Sequence, residues 1–498
     1  VKTLNLFSLT RIKASFFVLF KFKRKNRNIV KMLRIIYNKR YKFLRNKIDY
    51  VLKCFQQIYD LKFKIKIDFS NSQNLTDKCI KIKFQEDALD FFNSKNPIPE
   101  NFSFKEWKDI KLPLLFTKNP KFNWHSQTEK QAIEINYDIL LYSFYFLSLW
   151  QEWYSEKKDY LGKFPINESL LFKNNLLEIP VVNYYFDIFK EIIEKLTNTK
   201  IYLKNTNYKT IITHDIDKCN SGWLQNGYRE FKDIKIKQGI RTIYKKLIRN
   251  KDVWFNFDKI LEIEKKHSIK STYFFLVNNK GYKGLENADY KISSPKLKKA
   301  ISQIQSNHHE IGLHGSYNSG FDLNKLRKEI KKAPHSVKGN RFHYLAMNIP
   351  QTFNILQKSH LSYDSSLGFS ENIGFRNGFC YPFYPYNIKK DNIYRFLEFP
   401  VNIMDISLQK KRYMNLSPQR ALDRCVLLIN HIKKFNGILN ILWHNYFFTG
   451  YKYREWKGVF EKLLLKNIKN KSYFLKLKDY SRKRLGSVTK IMKKDKKS

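Results

Sequence analysis

From residue 208 into the 440s the chain repeats one pattern. A short apolar run is followed by a polar turn and then by a stretch with apolar residues at helical spacing. YKTIIT (208–213), STYFFLV (271–277), HEIGL (309–313), SVKGNRF (336–342), LSYDSSL (361–367), FLEFPV (396–401) and GILNILWH (437–444) read as strands. FDKILEIEKKH (257–267) and SPKLKKAISQIQ (294–305) read as helices between them. Strands alternating with helices predict a parallel sheet with crossover connections. Seven strands over roughly 240 residues fit a closed or nearly closed β/α barrel better than a flat doubly wound sheet.

The rhythm is different before residue 205. KFKIKIDFS (62–70) and CIKIKF (79–84) alternate as strands, and NSKNPIPENFS (93–103) reads as a loop. NYDILLYSFYFLSLWQEWYSEK and VVNYYFDIFKEIIEKL carry bulky apolar residues at helical spacing. An ordered connection holding Gly162, Pro165 and Pro180 joins them. The expected organisation is a small α+β domain over 51–205 and a β/α barrel over 206–465. A basic arm (1–50) and a basic tail (466–498) flank them. The chain opens on Val, and Met32 begins MLRIIYNKR, so residues 1–31 read as either an upstream translation artefact or a basic arm.

Composition adds less. The 498 residues carry 94 Lys and Arg against 44 Asp and Glu, a formal charge of +50. A lysine-rich solvated surface accounts for this, and so does attraction to anionic lipid through the basic termini. No helix-turn-helix, zinc-finger or RNA-binding signature supports a nucleic-acid partner. Five scattered cysteines without a CxxC pair read as reduced thiols. The longest apolar run, 139–150, is too short to span a bilayer, so the expected location is cytoplasmic.

The chemistry gathers at the strand ends. His214, Asp215 and Asp217 follow the first strand, His314 the third, and Arg341 with His343 the fourth. Asp364 lies at the fifth, Asp405 just beyond the sixth, and His444 with Asn445 after the last. Loops after the strands form the active-site face of a β/α barrel. Aspartate and histidine together suit zinc or a similar divalent ion. A nearby carboxylate able to take a proton from water, and a histidine able to return one, suit metal-assisted hydrolysis. No GxSxG elbow, phosphate-binding loop or GxGxxG is present.

THDID, HEIGLHGSYNS, NRFHYL, YDSSLGF and LWHN together resemble the ordered motifs of the polysaccharide deacetylase (NodB-homology) family. More closely, they resemble a bacterial branch with a THDVD-like first motif and a small preceding domain. That resemblance implies a deformed, NodB-like (β/α)7 barrel and a divalent metal, zinc foremost. It implies hydrolysis of an N-acetyl or O-acetyl group on a sugar of a cell-surface polysaccharide or its precursor. By position it makes Asp215 the general base, Asp217 and His314 metal ligands, Arg341 the residue orienting the base, and His444 the acid. The second histidine of the family's H-[ST]-x-x-H motif falls on Asn318. Either Asn318 binds through its amide oxygen, or His343 or His214 substitutes, or the barrel has lost its metal and serves as a sugar-binding or regulatory module. Tyr317, Tyr344, Phe369, Phe375 and Trp443 are candidates for stacking on sugar rings. GFRNGFCYPFYPYN (374–387) is expected to lie over the pocket. Its Arg376 reads as either an anchor for an anionic sugar or a clasp on Asp364, itself a candidate substrate contact. His309 precedes its strand and reads as structural.

Overall fold

The computed structural model describes residues 32–484 apart from 71–77, 130, 233, 235, 249–250 and 450–452. The N-terminal half holds a five-stranded sheet. Its strands are Met32–Tyr37 (β1), Lys64–Phe69 (β2), Cys79–Ile82 (β3), His125–Glu129 (β4) and Ala132–Ile135 (β5), in the order β2-β1-β3-β5-β4. Residues 32–50 are therefore not part of a basic arm. In MLRIIY the alternating Leu33, Ile35 and Tyr37 are fully buried, which fixes β1 inside the sheet. Arg45–Ile58 then forms a helix with Ile48, Val51 and Phe55 buried. Residues 1–31 and 485–498, with the membrane contact expected of the basic termini, lie outside the described residues.

The apolar run at 139–150 gives the buried helix Ile139–Leu147, capped by Asp138, whose carboxylate accepts from the Leu141 N–H. It ends at Leu149, which is left-handed at φ 56°. The helix Val181–Thr197 buries one face against the same core.

The C-terminal half is a curled parallel sheet. Its strands are Lys209–Ile216 (β6), Thr272–Leu276 (β7), Glu310–Gly315 (β8), Gly339–Phe342 (β9), Tyr363–Asp364 (β10), Leu397–Glu398 (β11), Ile403–Met404 (β12), Ile438–Leu442 (β13) and Tyr473–Phe474 (β14). They run in the order β11-β10-β9-β8-β7-β6-β13-β12, with β14 added on β6. Helices Phe257–Lys266, Pro295–Ser306, Leu323–Lys332, Gln351–Ser359 and Pro418–Lys434 make crossovers. The two edge strands are β11 and β12, and only residues 399–402 separate them in the chain. Asn440 stitches this junction: its Nδ2 donates to Phe399 O and Pro400 O at 3.3 and 3.1 Å, and its carbonyl accepts from the Asn402 N–H.

Two short strands were not legible in the chain, β12 and β14. The second corrects the tail, which does not begin at 466. Tyr473 and Phe474 pair with Lys209 and Thr210, and Leu477 is fully buried. One apolar core runs through both sheets. Across it Phe186 meets Phe379 at 6.1 Å and Tyr50 meets Tyr386 at 5.0 Å between ring centroids. All five cysteines are buried and unpaired. Among the described residues no helix is long and apolar enough to cross a membrane.

Candidate metal centre and active site

Alternation along β6 sorts its polar residues. Thr213 and Asp215 face inward, where both accept from Arg341. His214 faces the other way, bonding Trp443 O at 2.7 Å and Glu264 at 3.2 Å, so it takes no part in the site. Asp217, one residue past the strand, returns to the inner side.

Three buried groups meet there. Asp217 Oδ1 lies 3.1 Å from His314 Nε2 and 3.5 Å from His343 Nδ1. The two imidazole nitrogens are 3.2 Å apart. Bonds of about 2.1 Å in a tetrahedron place ligand atoms about 3.4 Å apart, so the trio fits a zinc-like ion. Two further observations agree. Asp217 Oδ1 is buried without a hydrogen-bond donor. His314 Nδ1 sits 2.7 Å from Arg341 O, which holds the proton on Nδ1 and leaves the Nε2 lone pair facing the trio. Burial opposes charge on His314, but the Asp215 and Asp217 carboxylates raise its pKa. The same field favours a metal ion at Nε2. Burial pushes His343 down to about 4, against the pull of the Asp217 carboxylate. Burial would also raise Asp217, yet the His343, His314 and His444 rings hold it well below the usual carboxylate range.

Arg341 is fully buried and makes four bonds. It donates to Asp215 Oδ1 at 2.9 Å, Thr213 Oγ1 at 2.8 Å, Ser365 O at 2.7 Å and Ser365 Oγ at 2.8 Å. Its guanidinium also lies 4.7 Å over the Phe274 ring. Gly312 makes room for that ring: a Cβ there would come within 2.5 Å of it. Asp215 is thus fixed in place beside the trio, with Oδ2 3.7 Å from His314 Nε2.

On the opposite wall His444 Nε2 points at Asp217 Oδ2, 3.5 Å away. Asp405 holds the other side of that ring, with Oδ1 2.7 Å from Nδ1 and Oδ2 accepting the His444 backbone N–H at 2.6 Å. Burial works against the imidazolium, but Asp405 outweighs it and lifts His444 to about 9. These groups open into one cavity of about 280 Å³, rimmed by Lys218, Glu286, Tyr344, Arg412, Tyr413 and Tyr446.

The third corner required a distorted turn. Tyr344 and Leu345 are both left-handed, at φ 60° and 50°, and the turn carries His343 back over the sheet mouth. Lys163, from the N-terminal half, braces it. Its buried ammonium lies 3.3 Å from Ser370 Oγ and 3.5 Å from Tyr344 O. Burial lowers its pKa. Nothing in the local sequence marked Lys163, and Asp405 stood at a strand end without an assigned partner.

Several expected site residues stand elsewhere. Asn318 is not in the trio, because its amide oxygen is taken by Lys325 Nζ. Tyr317 is turned from the cavity and donates to Leu161 O at 3.0 Å. Asp364 is enclosed in the sheet, bonded to Asn340 Nδ2 at 2.7 Å, and burial raises both it and its neighbour Glu398. Arg376 neither lines the cavity nor clasps Asp364. It forms a buried two-point pair with Glu152 at 2.8 and 2.6 Å. Residues 374–387 do not cover the pocket; they dock on the N-terminal half, with Phe375 N–H on Leu177 O and Cys380 N–H on Asn183 Oδ1. Of the aromatic candidates only Tyr344 reaches the cavity; Phe375 and Trp443 are core, and Phe369 lies under Arg376. Asn445 ties Lys218 O and Trp254 O. His309 is structural, accepting the Ser271 N–H.

A model for a family of unknown function, DUF7033, matches residues 35–198. No curated protein matches the chain. Among solved structures the chain is similar to a putative polysaccharide deacetylase from Mycobacterium smegmatis, at 16% identity and TM-score 0.37, covering 56% of this chain and 91% of that one. It is similar to a probable polysaccharide deacetylase from Pseudomonas aeruginosa PAO1, at 11% identity and TM-score 0.35, covering 55% and 90%. It is also similar to a CE4-family pseudoenzyme from Bacillus anthracis, at 11% identity and TM-score 0.29, covering 55% and 66%.

Proposed function

We propose that the protein is a divalent-metal-dependent hydrolase that removes an acetyl group, N-linked foremost, from a sugar of a cell-surface polysaccharide or its precursor. One observation carries this. An Asp-His-His trio, a carboxylate clamped by arginine and an imidazole clamped by carboxylate converge on a single sugar-sized cavity. The motifs that place these groups at strand ends supply the acetyl-sugar specificity of the reading.

A divalent ion held by Asp217, His314 and His343 would polarise the acyl carbonyl and make water more acidic. Asp215, oriented by Arg341, accepts the proton of the attacking water. His444, charged through Asp405, donates its proton to the nitrogen as the carbon–nitrogen bond breaks. The products are acetate and a free amine. The test is acetate release from N-acetylated oligosaccharides by the purified chain, abolished by chelation and by Asp215→Asn. Release that survives both would remove the reading.

The alternative, a metal-free sugar-binding or regulatory barrel, rests on Asn318. The position of His343 supplies a third donor without it, and metal content separates the two readings.

A further inference from the structure

Between β6 and β7 the chain forms a helical hairpin, Gly222–Lys232 and Ile236–Leu247. Its apolar stripe points the wrong way for a surface helix, which turns that face to the core. In the first helix Leu224, Tyr228 and Phe231 fall at i, i+4 and i+7, each at least 41% exposed. In the second, Ile236, Ile240, Tyr244 and Leu247 fall at i, i+4, i+8 and i+11, each at least 48% exposed. Ile234 in the turn between them is 83% exposed. Nine of the nineteen large apolar side chains exposed among the described residues lie in this hairpin, so the patch is concentrated. Gly239 lets the helices close up: a Cβ there would come within 2.9 Å of the Phe231 ring.

Charge selects the occupant. Residues 222–251 carry nine Lys or Arg against two acids. A second copy of the same face would meet like charge. A nucleic acid could stack on Tyr228, Phe231 and Tyr244 but would leave Ile234, Ile236, Ile240 and Leu247 without an apolar partner. An apolar stripe flanked by basic residues fits an anionic bilayer surface, with the stripe at acyl depth and the cations among the headgroups. We infer that the 222–248 hairpin is a membrane-surface anchor for anionic lipid.

The hairpin begins four residues after Lys218, which lines the cavity. The backbone N–H groups of Cys219, Asn220 and Ser221 all donate to Asp289, at 2.6 to 2.9 Å, next to the rim residues Glu286 and Asn287. On the hydrolase reading, this points to a saccharide carried at a lipid surface as the substrate class.

The test is co-sedimentation of the full chain with phosphatidylcholine vesicles, with and without phosphatidylglycerol, in the absence of any sugar. Wild type should bind only the anionic vesicles. Ile240→Glu/Leu247→Glu should weaken that binding at least about tenfold. Lys237→Glu/Arg241→Glu should weaken it and make the remainder insensitive to salt. Both variants should keep the wild-type circular dichroism and melting temperature. Absence of binding by wild type, unchanged binding by both folded variants, or a wild-type dimer that either variant converts to monomer would overturn the inference. The readout needs no turnover, so failure of the hydrolase reading would leave it standing.

Discussion

Asp405 grips His444 at two points, its Oδ1 2.7 Å from the ring Nδ1 and its Oδ2 2.6 Å from the backbone nitrogen. One carboxylate therefore sets both the position and the charge of the ring that faces Asp217. Asp405→Asn keeps an acceptor but removes the charge. It should lower kcat by about 10²–10⁴-fold. Zinc affinity, measured by competition with a chromophoric chelator, should stay within about twofold, because Asp405 touches no member of the trio.

Lys163 links the N-terminal half to the third corner through Ser370 and Tyr344 O. Lys163→Met should loosen the His343 turn and weaken zinc binding by about 10- to 100-fold, the range found for outer supports of metal ligands. The same titration checks it, with circular dichroism to show the fold retained.

Arg376 and Glu152 form a buried pair that joins the two halves. Removing one partner strands the other charge, so Arg376→Met should destabilise the chain by about 3–5 kcal/mol in denaturant unfolding. Arg376→Met/Glu152→Leu should recover part of that loss. KM for an acetylated sugar should not change in the folded variant, which separates this role from that of a substrate anchor.

Asp138 predicts a pH effect far from the site. Burial raises its carboxyl from 3.8 to about 7, only partly offset by bonds from the Leu141 N–H and the Tyr37 hydroxyl. The folded chain thus holds this proton more tightly than the unfolded chain does. Stability from it is present at low pH and is lost as pH rises from about 4 through about 7. Asp138→Asn keeps both acceptor bonds and cannot ionise. Between pH 5 and 8 its stability relative to wild type should rise by about 2–3 kcal/mol in urea melts.

The curled sheet was legible because its strands are continuous β-branched or aromatic runs, and because polar groups sit at their ends. Asp215, Asp217, His314, Arg341 and His444 stood at strand ends among several other polar residues, and the family resemblance singled them out. His343 stayed one of several options because two successive left-handed residues, Tyr344 and Leu345, swing it into place, and spacing does not show a turn of that kind. Arg376 and Asp364 were misread because their partners are distant: Glu152 lies 224 residues from Arg376. The strand at Met32–Tyr37 was hidden by lysine-rich surroundings although its alternation was present.

The central claim is a divalent ion held by Asp217, His314 and His343 with Asn318 outside it. Titration of the metal-free full chain with zinc tests it most directly. Wild type and Asn318→Ala should each take up one equivalent with affinities within about twofold, while His343→Ala should bind about a hundredfold more weakly or worse. Uptake below about a tenth of an equivalent by wild type, or unchanged affinity in His343→Ala, would contradict it.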